Sequence, residues 1–126
     1  MRTAEVVDSN IIIDFFRNYK PAVDYIKMAQ QPFLMSVITV AELFAGVRNN
    51  HEKKTVEDFL IDFKIIPVDK NIAEIGGAIR EKYGKSHGTC LPDSLIAATV
   101  LHHEATLVTL NTRHFPMVKT VKPYKK

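Results

Sequence analysis

AEVVDSNIIIDFF, residues 4–16, is the stretch of the sequence that decides the fold. The apolar residues before Asp8 predict a short buried strand, and those after Asn10 predict a helix. Asp8 therefore lies at a strand-to-helix turn, which is where ligands bind in an open α/β sheet. Aspartate is also an ordinary helix N-cap, so capping and ligand binding are both open for Asp8 on this stretch alone. If Ser9 or Asn10 caps the helix, Asp8 is left free for a ligand.

The rest of the chain repeats this alternation of short apolar strands with longer helices. The strands are predicted over 4–7, 33–37, 65–68, 105–110 and 120–121. The helices are predicted over 11–17, from Pro21, from Ile38, over 51–63, from Asp69 or Asn71 to Gly84, and from Pro92, with a loop over 85–91. This order implies a central, mostly parallel sheet of four to five strands with helices on both faces. No linker or repeat divides the sequence, so we expect a single domain over residues 1–126.

Two local features refine the predicted fold. Pro67 lacks a backbone donor, which indicates that the strand over 65–68 lies at an edge of the sheet or ends there. Gly76 and Gly77 interrupt a predicted helix at a cost of about 1 kcal/mol each relative to alanine. This cost predicts close packing of the two glycines against a neighbouring element.

Composition narrows the class of protein. With 46% hydrophobic and 25% charged residues, the sequence is typical of a globular domain and not of a disordered chain or a coiled coil. The single cysteine, Cys90, excludes an internal disulfide and indicates a reducing compartment. There is no signal-peptide pattern, and no apolar run approaches the roughly 20 residues of a membrane span, so we expect a cytoplasmic protein.

The charge distribution singles out the C-terminal residues. The net charge is only +3, but residues 119–126 carry four lysines and no acid. Such a segment either binds a phosphate-rich partner or is a solvated tail, and the sequence leaves both open.

Three carboxylates occupy equivalent positions of the predicted sheet. Asp8 follows the first strand, Glu42 lies in the first turns of the helix after the second strand, and Asp93 opens the last long helix. Each has a structural explanation by itself. Thr39 and Glu42 match a capping box, and an acid such as Asp93 is favoured at the positive end of a helix dipole. Asn111, after the fourth strand, is either a fourth site residue or a turn residue.

Together the three acids predict a metal site. Carboxylates within a few ångströms of one another repel strongly unless a cation or a shared proton compensates. Oxygen ligands without cysteine or histidine partners suit Mg²⁺ or Mn²⁺ and disfavour zinc. A site of this kind polarises a phosphodiester and activates water near neutral pH.

Four segments carry a resemblance to a known family. They are VDSN over 7–10, SVITVAEL over 36–43 with Gly46, LPDSLIAA over 91–98, and LVTLNTRHF over 107–115. In this order they resemble the motifs of PIN-domain ribonucleases, in particular the VapC toxins of bacterial and archaeal toxin–antitoxin pairs. The resemblance covers essentially the whole chain. It implies a PIN-like three-layer α/β fold and a metal-dependent endoribonuclease that hydrolyses RNA phosphodiester bonds.

The resemblance also implies a set of site residues. Asp8, Glu42 and Asp93 match the invariant acids of the family, which are catalytic and hold one or two Mg²⁺ or Mn²⁺ ions. A water molecule activated by the metal would be the nucleophile, so that the cut is a direct hydrolysis. The polar residues that match supporting positions are Ser9, Asn10 and Thr109.

This sequence departs from the family pattern at two positions. Asn111 stands at the fourth acidic position, where its amide offers a carbonyl ligand but no charge. His114 replaces an aspartate that is often found three residues later. These departures favour one tightly held ion, with a second brought by the RNA phosphate. Arg113, between them, binds an RNA phosphate or forms a simple salt bridge, and both interpretations stay open.

The partners implied by the resemblance are an RNA substrate, a second copy of the chain in a homodimer, and a VapB-type antitoxin. The C-terminal segment of such an antitoxin lies across the toxin. Four aromatic residues either receive it or form a stripe of the core: Phe15, Phe16, Phe59 and Phe63.

Two other functions compete with the nuclease. A catalytically inert PIN-fold module would bind RNA or protein through its basic surface and aromatic helices. A receiver domain would accept a phosphoryl group on one aspartate, but the sequence lacks an Asp-Asp pair after the first strand and a suitable lysine near the last one. The substitution Glu42→Gln separates the nuclease from the inert module, because glutamine still serves a capping box but removes the ligand charge.

Overall fold

A parallel sheet forms the centre of the protein in the computed structural model, which describes residues 3–126. The strands, in chain order, are β1 (Glu5–Val7), β2 (Leu34–Ser36), β3 (Lys64–Ile66), β4 (Thr106–Val108) and β5 (Thr120–Val121). Across the described residues they lie in the order β3-β2-β1-β4-β5, and all neighbouring strands run parallel. The predicted α/β fold is confirmed, and β3 is the edge strand that Pro67 indicates.

Helices cover both faces of the sheet. They are α1 (Ser9–Phe16), α2 (Lys20–Lys27), α3 (Val37–Ala45), α4 (Asn50–Leu60), α5 (Lys70–His87) and α6 (Leu91–His102), followed by a single 3₁₀ turn at Thr112–His114. Neighbouring residues of a strand point to opposite faces. In β1, Val6 therefore packs into the core formed with α5 and α6, and Val7 into the core formed with α1, α3 and α4. Because the strands are apolar on both faces, the chain folds in three layers.

The register of the central strands brings two polar residues together. Val7 of β1 pairs with Val108 of β4, so Asp8 and Thr109 follow the two strands side by side. The backbone N–H of Asp8 donates to the carbonyl oxygen of Val108 over 3.0 Å. On the other side of β1, β2 ends at Ser36 and continues without a loop into α3. The carboxyl edge of the sheet is therefore where the polar side chains converge.

Helix α5 is longer than the sequence predicts. It continues through Gly84 to His87, so the predicted helix end at Gly84 was wrong, and the predicted loop over 85–91 is confined to residues 88–90. A Cβ atom at Gly84 would lie 1.7 Å from Nη1 of Arg80, whose side chain crosses the helix at this point. The helix ends instead at Gly88, where φ is 65°, a left-handed conformation that glycine adopts without strain.

Alanine at Gly76 and at Gly77 is expected to have opposite effects on stability. A Cβ atom at Gly76 would lie 2.7 Å from Cδ2 of Leu95 on α6, so Gly76→Ala should cost about 1–3 kcal/mol through overpacking. A Cβ atom at Gly77 meets nothing within 4 Å in the described structure, so Gly77→Ala should gain about 0.5–1 kcal/mol. Urea unfolding of both variants tests this, and equal shifts would contradict it. The predicted close packing is confirmed for Gly76 and wrong for Gly77.

The C-terminal segment packs against α1. Asp14 of α1 is 3% exposed and accepts hydrogen bonds from the Tyr124 hydroxyl group, over 2.8 Å, and from the Lys126 ammonium group. The ring of Tyr19 contacts Tyr124 edge-on and lies under the Lys126 ammonium group. Burial raises the pKa of Asp14, but the Lys126 and Tyr124 hydrogen bonds outweigh it, and the net pKa is below its ordinary value. Tyr124 and Lys126 therefore attach residues 119–126 to the fold, while the four lysines of this segment stay exposed to solvent.

Candidate active site

Asp8 is the most buried acid of the candidate site, with 4% of its surface exposed. It caps α1 itself, since its Oδ1 accepts a hydrogen bond from the backbone N–H of Ser9 over 2.8 Å. The interpretation that Ser9 or Asn10 takes over the capping was therefore wrong. The other oxygen, Oδ2, accepts from the Thr109 hydroxyl group over 2.7 Å and from the Asn10 amide over 3.5 Å. Capping and a place in the site are thus compatible, because they use different oxygens.

Thr109 and Asn10 connect Asp8 to the end of β4. The Thr109 hydroxyl oxygen, which is fully buried, accepts from the Asn10 amide over 3.3 Å and from the backbone N–H of Asn111 over 3.0 Å. The Asn10 carbonyl oxygen accepts from the backbone N–H of Leu110 over 3.4 Å. The structure therefore brings the predicted supporting residues Asn10 and Thr109 into contact with Asp8. Their function in catalysis stays a prediction.

Glu42 lies on α3, and it does not form the capping box that the sequence suggests. Ser36 caps α3, with its hydroxyl oxygen accepting from the backbone N–H of Ile38 over 3.0 Å. Thr39, the other half of the suggested box, is fully buried inside the helix. Among residues 3–126, neither the Thr39 hydroxyl oxygen nor Oε1 of Glu42 has a hydrogen-bond partner, although both atoms are buried. The capping-box interpretation was wrong, and Glu42 is left with a buried acceptor.

The carboxylates of the site interact electrostatically, and this interaction changes their pKa values. Burial raises the pKa of Asp8, the hydrogen bonds from Thr109 and Ser9 lower it, and the charge of Asp93 raises it, with a net increase. Burial also raises the pKa of Glu42, as do the charges of Asp8 and Asp93, against a lowering effect of the Ser9 hydroxyl group. Both carboxyl groups therefore have a higher pKa than usual, mainly because burial disfavours their charged form and in addition because neighbouring carboxylates repel it.

Asp93 lies in the first turn of α6 and has a histidine beside it. Its Oδ2 is 3.4 Å from Nδ1 of His114, and the Asp93 side chain is 19% exposed. The sequence identified His114 only as a replaced acid. No pattern of spacing predicts this contact, because the two residues come together only when the 3₁₀ turn after β4 folds next to α6.

The two remaining predicted residues, Asn111 and Arg113, lie at the start of the same 3₁₀ turn and within it. Asn111 is exposed and precedes the turn, and its side chain makes no capping hydrogen bond there. Arg113 is also exposed, and within the described part of the chain it forms no salt bridge, contrary to one of its two interpretations. The metal contact of Asn111 and the phosphate contact of Arg113 stay predictions.

A groove leads from Glu42 along α1, α3 and α4. Its volume is about 630 Å³, and its walls combine apolar and basic side chains. They include Ile13, Phe16, Arg17, Leu43, Val47 and Arg48. Next to it, Phe15, Phe59 and Phe63 line a second groove of about 530 Å³, with the Phe59 ring 4.9 Å from each of the other two. Of the four predicted aromatic residues, Phe16, Phe59 and Phe63 pack partly against the core, and each of the four lines one of the two grooves.

The donor set fits a divalent cation of the Mg²⁺ or Mn²⁺ type. Its three carboxylates are hard oxygen donors, and a buried oxygen of Glu42 lacks a partner. A cation would offset the burial and the repulsion that together raise the pKa values of Asp8 and Glu42. Among residues 3–126, no three His, Cys, Asp or Glu side chains lie at the spacing needed to ligate one ion. The carboxylates are thus close enough to repel one another, but they are not close enough for all three to ligate one ion.

Comparison with known proteins identifies the family. The sequence profile of the PIN domain matches residues 6–120. The chain belongs to the PIN-domain family. Ribonuclease VapC10 of Mycobacterium tuberculosis is 36% identical to it over 121 residues, which are 94% of this chain and 90% of the relative.

Two solved structures are similar to this PIN domain over almost its whole length. A toxin-antitoxin complex from Klebsiella pneumoniae contains a chain with 30% identity and a TM-score of 0.85, covering 98% of this chain and 100% of that chain. FitAcB from Neisseria gonorrhoeae has 29% identity and a TM-score of 0.78, covering 94% of this chain and 97% of that chain. The resemblance found in the sequence is confirmed, as is the three-layer PIN fold that it implies. The ligand functions of Asp8, Glu42 and Asp93 stay predictions.

Proposed function

We propose that this PIN domain is an endoribonuclease toxin that depends on Mg²⁺ or Mn²⁺ and is neutralised by a VapB-type antitoxin. The ribonuclease relative and the toxin-antitoxin complexes among the similar structures support this function. Within the chain, the observation that carries it is the buried oxygen of Glu42 without a partner, close to Asp8 and Asp93. A bound ion is one of the explanations for a buried acceptor without a partner, and the neighbouring carboxylates make it the one that fits here.

The mechanism assigns a task to each side chain. Asp8, Glu42 and Asp93 would hold the ion, which when bound polarises the phosphodiester and favours the ionisation of water. Thr109 donates to Asp8 and so fixes the orientation of its carboxylate. Arg113, exposed at the rim, would bind a phosphate of the RNA backbone, as a guanidinium group does with two parallel donors. In this mechanism Arg113 would position the RNA, and water would be the nucleophile.

Thr109→Val is expected to lower the RNA cleavage rate about tenfold, the smaller loss seen when the partner of a metal ligand is removed. Valine has the same shape but no hydroxyl group, so Asp8 loses its shortest hydrogen bond. The free energy of unfolding should fall by about 1–3 kcal/mol, because Asp8 is left buried without that donor. Initial rates on an RNA oligonucleotide and urea unfolding measure the two effects. Thr106→Val, at the first residue of β4 and three positions before Thr109, is the control that should keep full activity.

The partners follow from the same surfaces. We infer that the antitoxin lies along the groove of about 630 Å³, where it would cover Glu42 and contact Phe16. Phe15, Phe59 and Phe63 would extend this contact into the second groove. The domain would form a homodimer and, with the antitoxin, a hetero-oligomer. None of the helices in residues 3–126 is both long and apolar enough to cross a membrane. The cytoplasm, where RNA and antitoxin are made, is the proposed location.

Expression in bacterial cells, alone and together with the product of any small reading frame found next to this one in the genome, tests the proposed function. The chain alone should stop growth and produce new RNA 5′ ends at defined sites. Co-expression of the neighbouring frame should restore growth and remove these ends. Normal growth and an unchanged set of 5′ ends, with the folded chain present, would contradict the proposal and favour the inert module.

A further inference from the structure

Two segments of the chain that contain no acidic residue meet at the candidate site. They are residues 82–92, around the end of α5, and residues 105–126, which include β4 and the 3₁₀ turn. The buried Thr89 hydroxyl group donates to the carbonyl oxygen of His114 over 2.7 Å. A Cβ atom at Gly88 would lie 3.9 Å from Nε2 of the same histidine. The end of α5 is therefore packed against the 3₁₀ turn.

This junction brings exposed cations next to the carboxylates. His114 connects it to the site, since its Nδ1 lies 3.4 Å from Oδ2 of Asp93. Three cations of the two segments lie around the junction, namely Lys82 and Lys85 on α5 and Arg113 in the 3₁₀ turn, and all three are exposed. Among residues 3–126, none of the three forms a salt bridge. We call these three cations the basic rim.

The groove of about 630 Å³ has a different charge pattern. It lies among α1, α3 and α4, on the opposite face of the sheet from α5. There Arg48 is held by Glu52 in a salt bridge of 2.8 Å, and Glu42 adds another acid. A mixture of both charges suits a protein partner with complementary charges. The cations of the basic rim have no such acidic partner in the described structure, and a surface of one sign attracts a polyanion.

We propose that the basic rim binds the phosphate backbone of the RNA substrate, so that the strand reaches the carboxylates from the α5 face of the sheet. The inference rests on the proposed nuclease function and specifies where its substrate lies. Contacts to phosphates fix the position of a strand without reading its sequence. Lys85 also lies in the last turn of α5, where a positive charge stabilises a helix. That effect changes stability and not RNA affinity, so the two can be measured separately.

The test measures binding of the full chain to a short single-stranded RNA oligonucleotide by fluorescence anisotropy, in chelating buffer at several salt concentrations. Each phosphate contact to a single strand contributes about 0.7 to the slope of log affinity against log salt. Lys85→Ala and Arg113→Ala should each lower this slope by about 0.7 and the affinity about fivefold in roughly 0.1 M salt. Lys119→Ala is the matched control, because Lys119 is exposed in the same acid-free segment but precedes β5, at the opposite edge of the sheet. It should keep the wild-type slope.

Cleavage kinetics with Mn²⁺ provide a second readout. Lys85→Ala should raise KM and leave kcat within about twofold, which is the signature of lost uniform binding. Urea unfolding confirms that each variant is folded. A variant that lowers kcat at unchanged KM would contradict a binding function of the rim.

The outcomes for the rim and for the nuclease are separate. Wild-type slope and affinity in Lys85→Ala and Arg113→Ala would overturn the rim and leave the nuclease standing. An equal loss in Lys119→Ala would also overturn it, because binding would then follow total charge. Loss of neutralisation by the antitoxin with unchanged RNA binding would assign the rim to a protein partner instead. Rim-dependent RNA binding without cleavage in Mn²⁺ or Mg²⁺ would support the rim and refute the nuclease.

Discussion

Replacing Glu42 with glutamine is expected to lower RNA cleavage at least about 100-fold and to leave the metal-free protein as stable as the wild type or more so. A metal ion stabilises the charge of the transition state by several kcal/mol, and the loss of one charged ligand removes part of this. The metal-free fold gains, because the charge of Glu42 repels Asp8 and Asp93. Since Ser36 caps α3, no capping interaction is lost.

Initial cleavage rates at a fixed Mn²⁺ concentration, together with urea unfolding in a chelating buffer, measure both effects. Glu52→Gln is the matched control, because Glu52 lines the same groove but is paired with Arg48 in an exposed salt bridge. It should keep the cleavage rate within about twofold, since exposed pairs contribute little. Full activity of the Glu42→Gln variant would show that Glu42 is not a ligand of the metal ion. A large loss of stability would show that the carboxylate has a structural partner.

Asp14→Ala is expected to destabilise the protein by about 2–4 kcal/mol. The substitution leaves the Tyr124 hydroxyl group without its acceptor and Lys126 without its carboxylate, and it releases the C-terminal segment from α1. Breaking a buried charged pair costs several kcal/mol, and the exposure of Lys126 reduces this. Asp24→Ala, which removes an exposed salt bridge with Lys20, should cost less than about 1 kcal/mol in the same urea titration. Equal losses would contradict the account of the C-terminal segment.

The same pair gives the protein a defined dependence on pH. The folded-state pKa of Asp14 is lowered, so its contribution to stability is complete above the ordinary aspartate pKa of about 3.9 and is lost as the pH falls through the folded-state value. The difference in stability between wild type and Asp14→Asn should be constant from pH 8 to pH 5 and shrink below pH 4. A difference that grows with acidity would contradict this sign.

The sequence predicts the arrangement of the fold because apolar periodicity is a local property. Strands that are apolar on both faces, such as β1 and β4, predict a covered parallel sheet. The sequence does not predict where a helix ends when a glycine lies inside the helix to make room for a neighbouring side chain. Gly84 accommodates the side chain of Arg80, and only the backbone angle at Gly88 shows which glycine ends α5. Nor does it predict that Lys126 binds Asp14, because 112 positions separate them.

For the site, too, the sequence predicts some features and only the structure shows the others. The sequence places Asp8, Glu42 and Asp93 at one edge of the sheet, since Asp8 and Asp93 lie where helices begin and Glu42 lies on the helix that follows β2. The division of Asp8 between capping and the site requires the structure, because Oδ1 and Oδ2 have different partners. The capping box at Thr39 and Glu42 matches in sequence but not in space, since Ser36 begins the helix three residues earlier. An acid such as Asp14 within an apolar helix is the one local signal of the buried pair that the sequence contains.

The chemistry of the cut ends tests the central claim most directly, namely that these three carboxylates hold an ion that promotes direct hydrolysis of RNA. The metal-stripped chain, an RNA oligonucleotide and added Mn²⁺ or Mg²⁺ suffice for the measurement. Cleavage should be absent in chelator, return with either ion, and leave no 2′,3′-cyclic phosphate, because water and not the ribose 2′-hydroxyl group is the nucleophile. Equal cleavage in chelator, or fragments that end in a cyclic phosphate, would contradict the account.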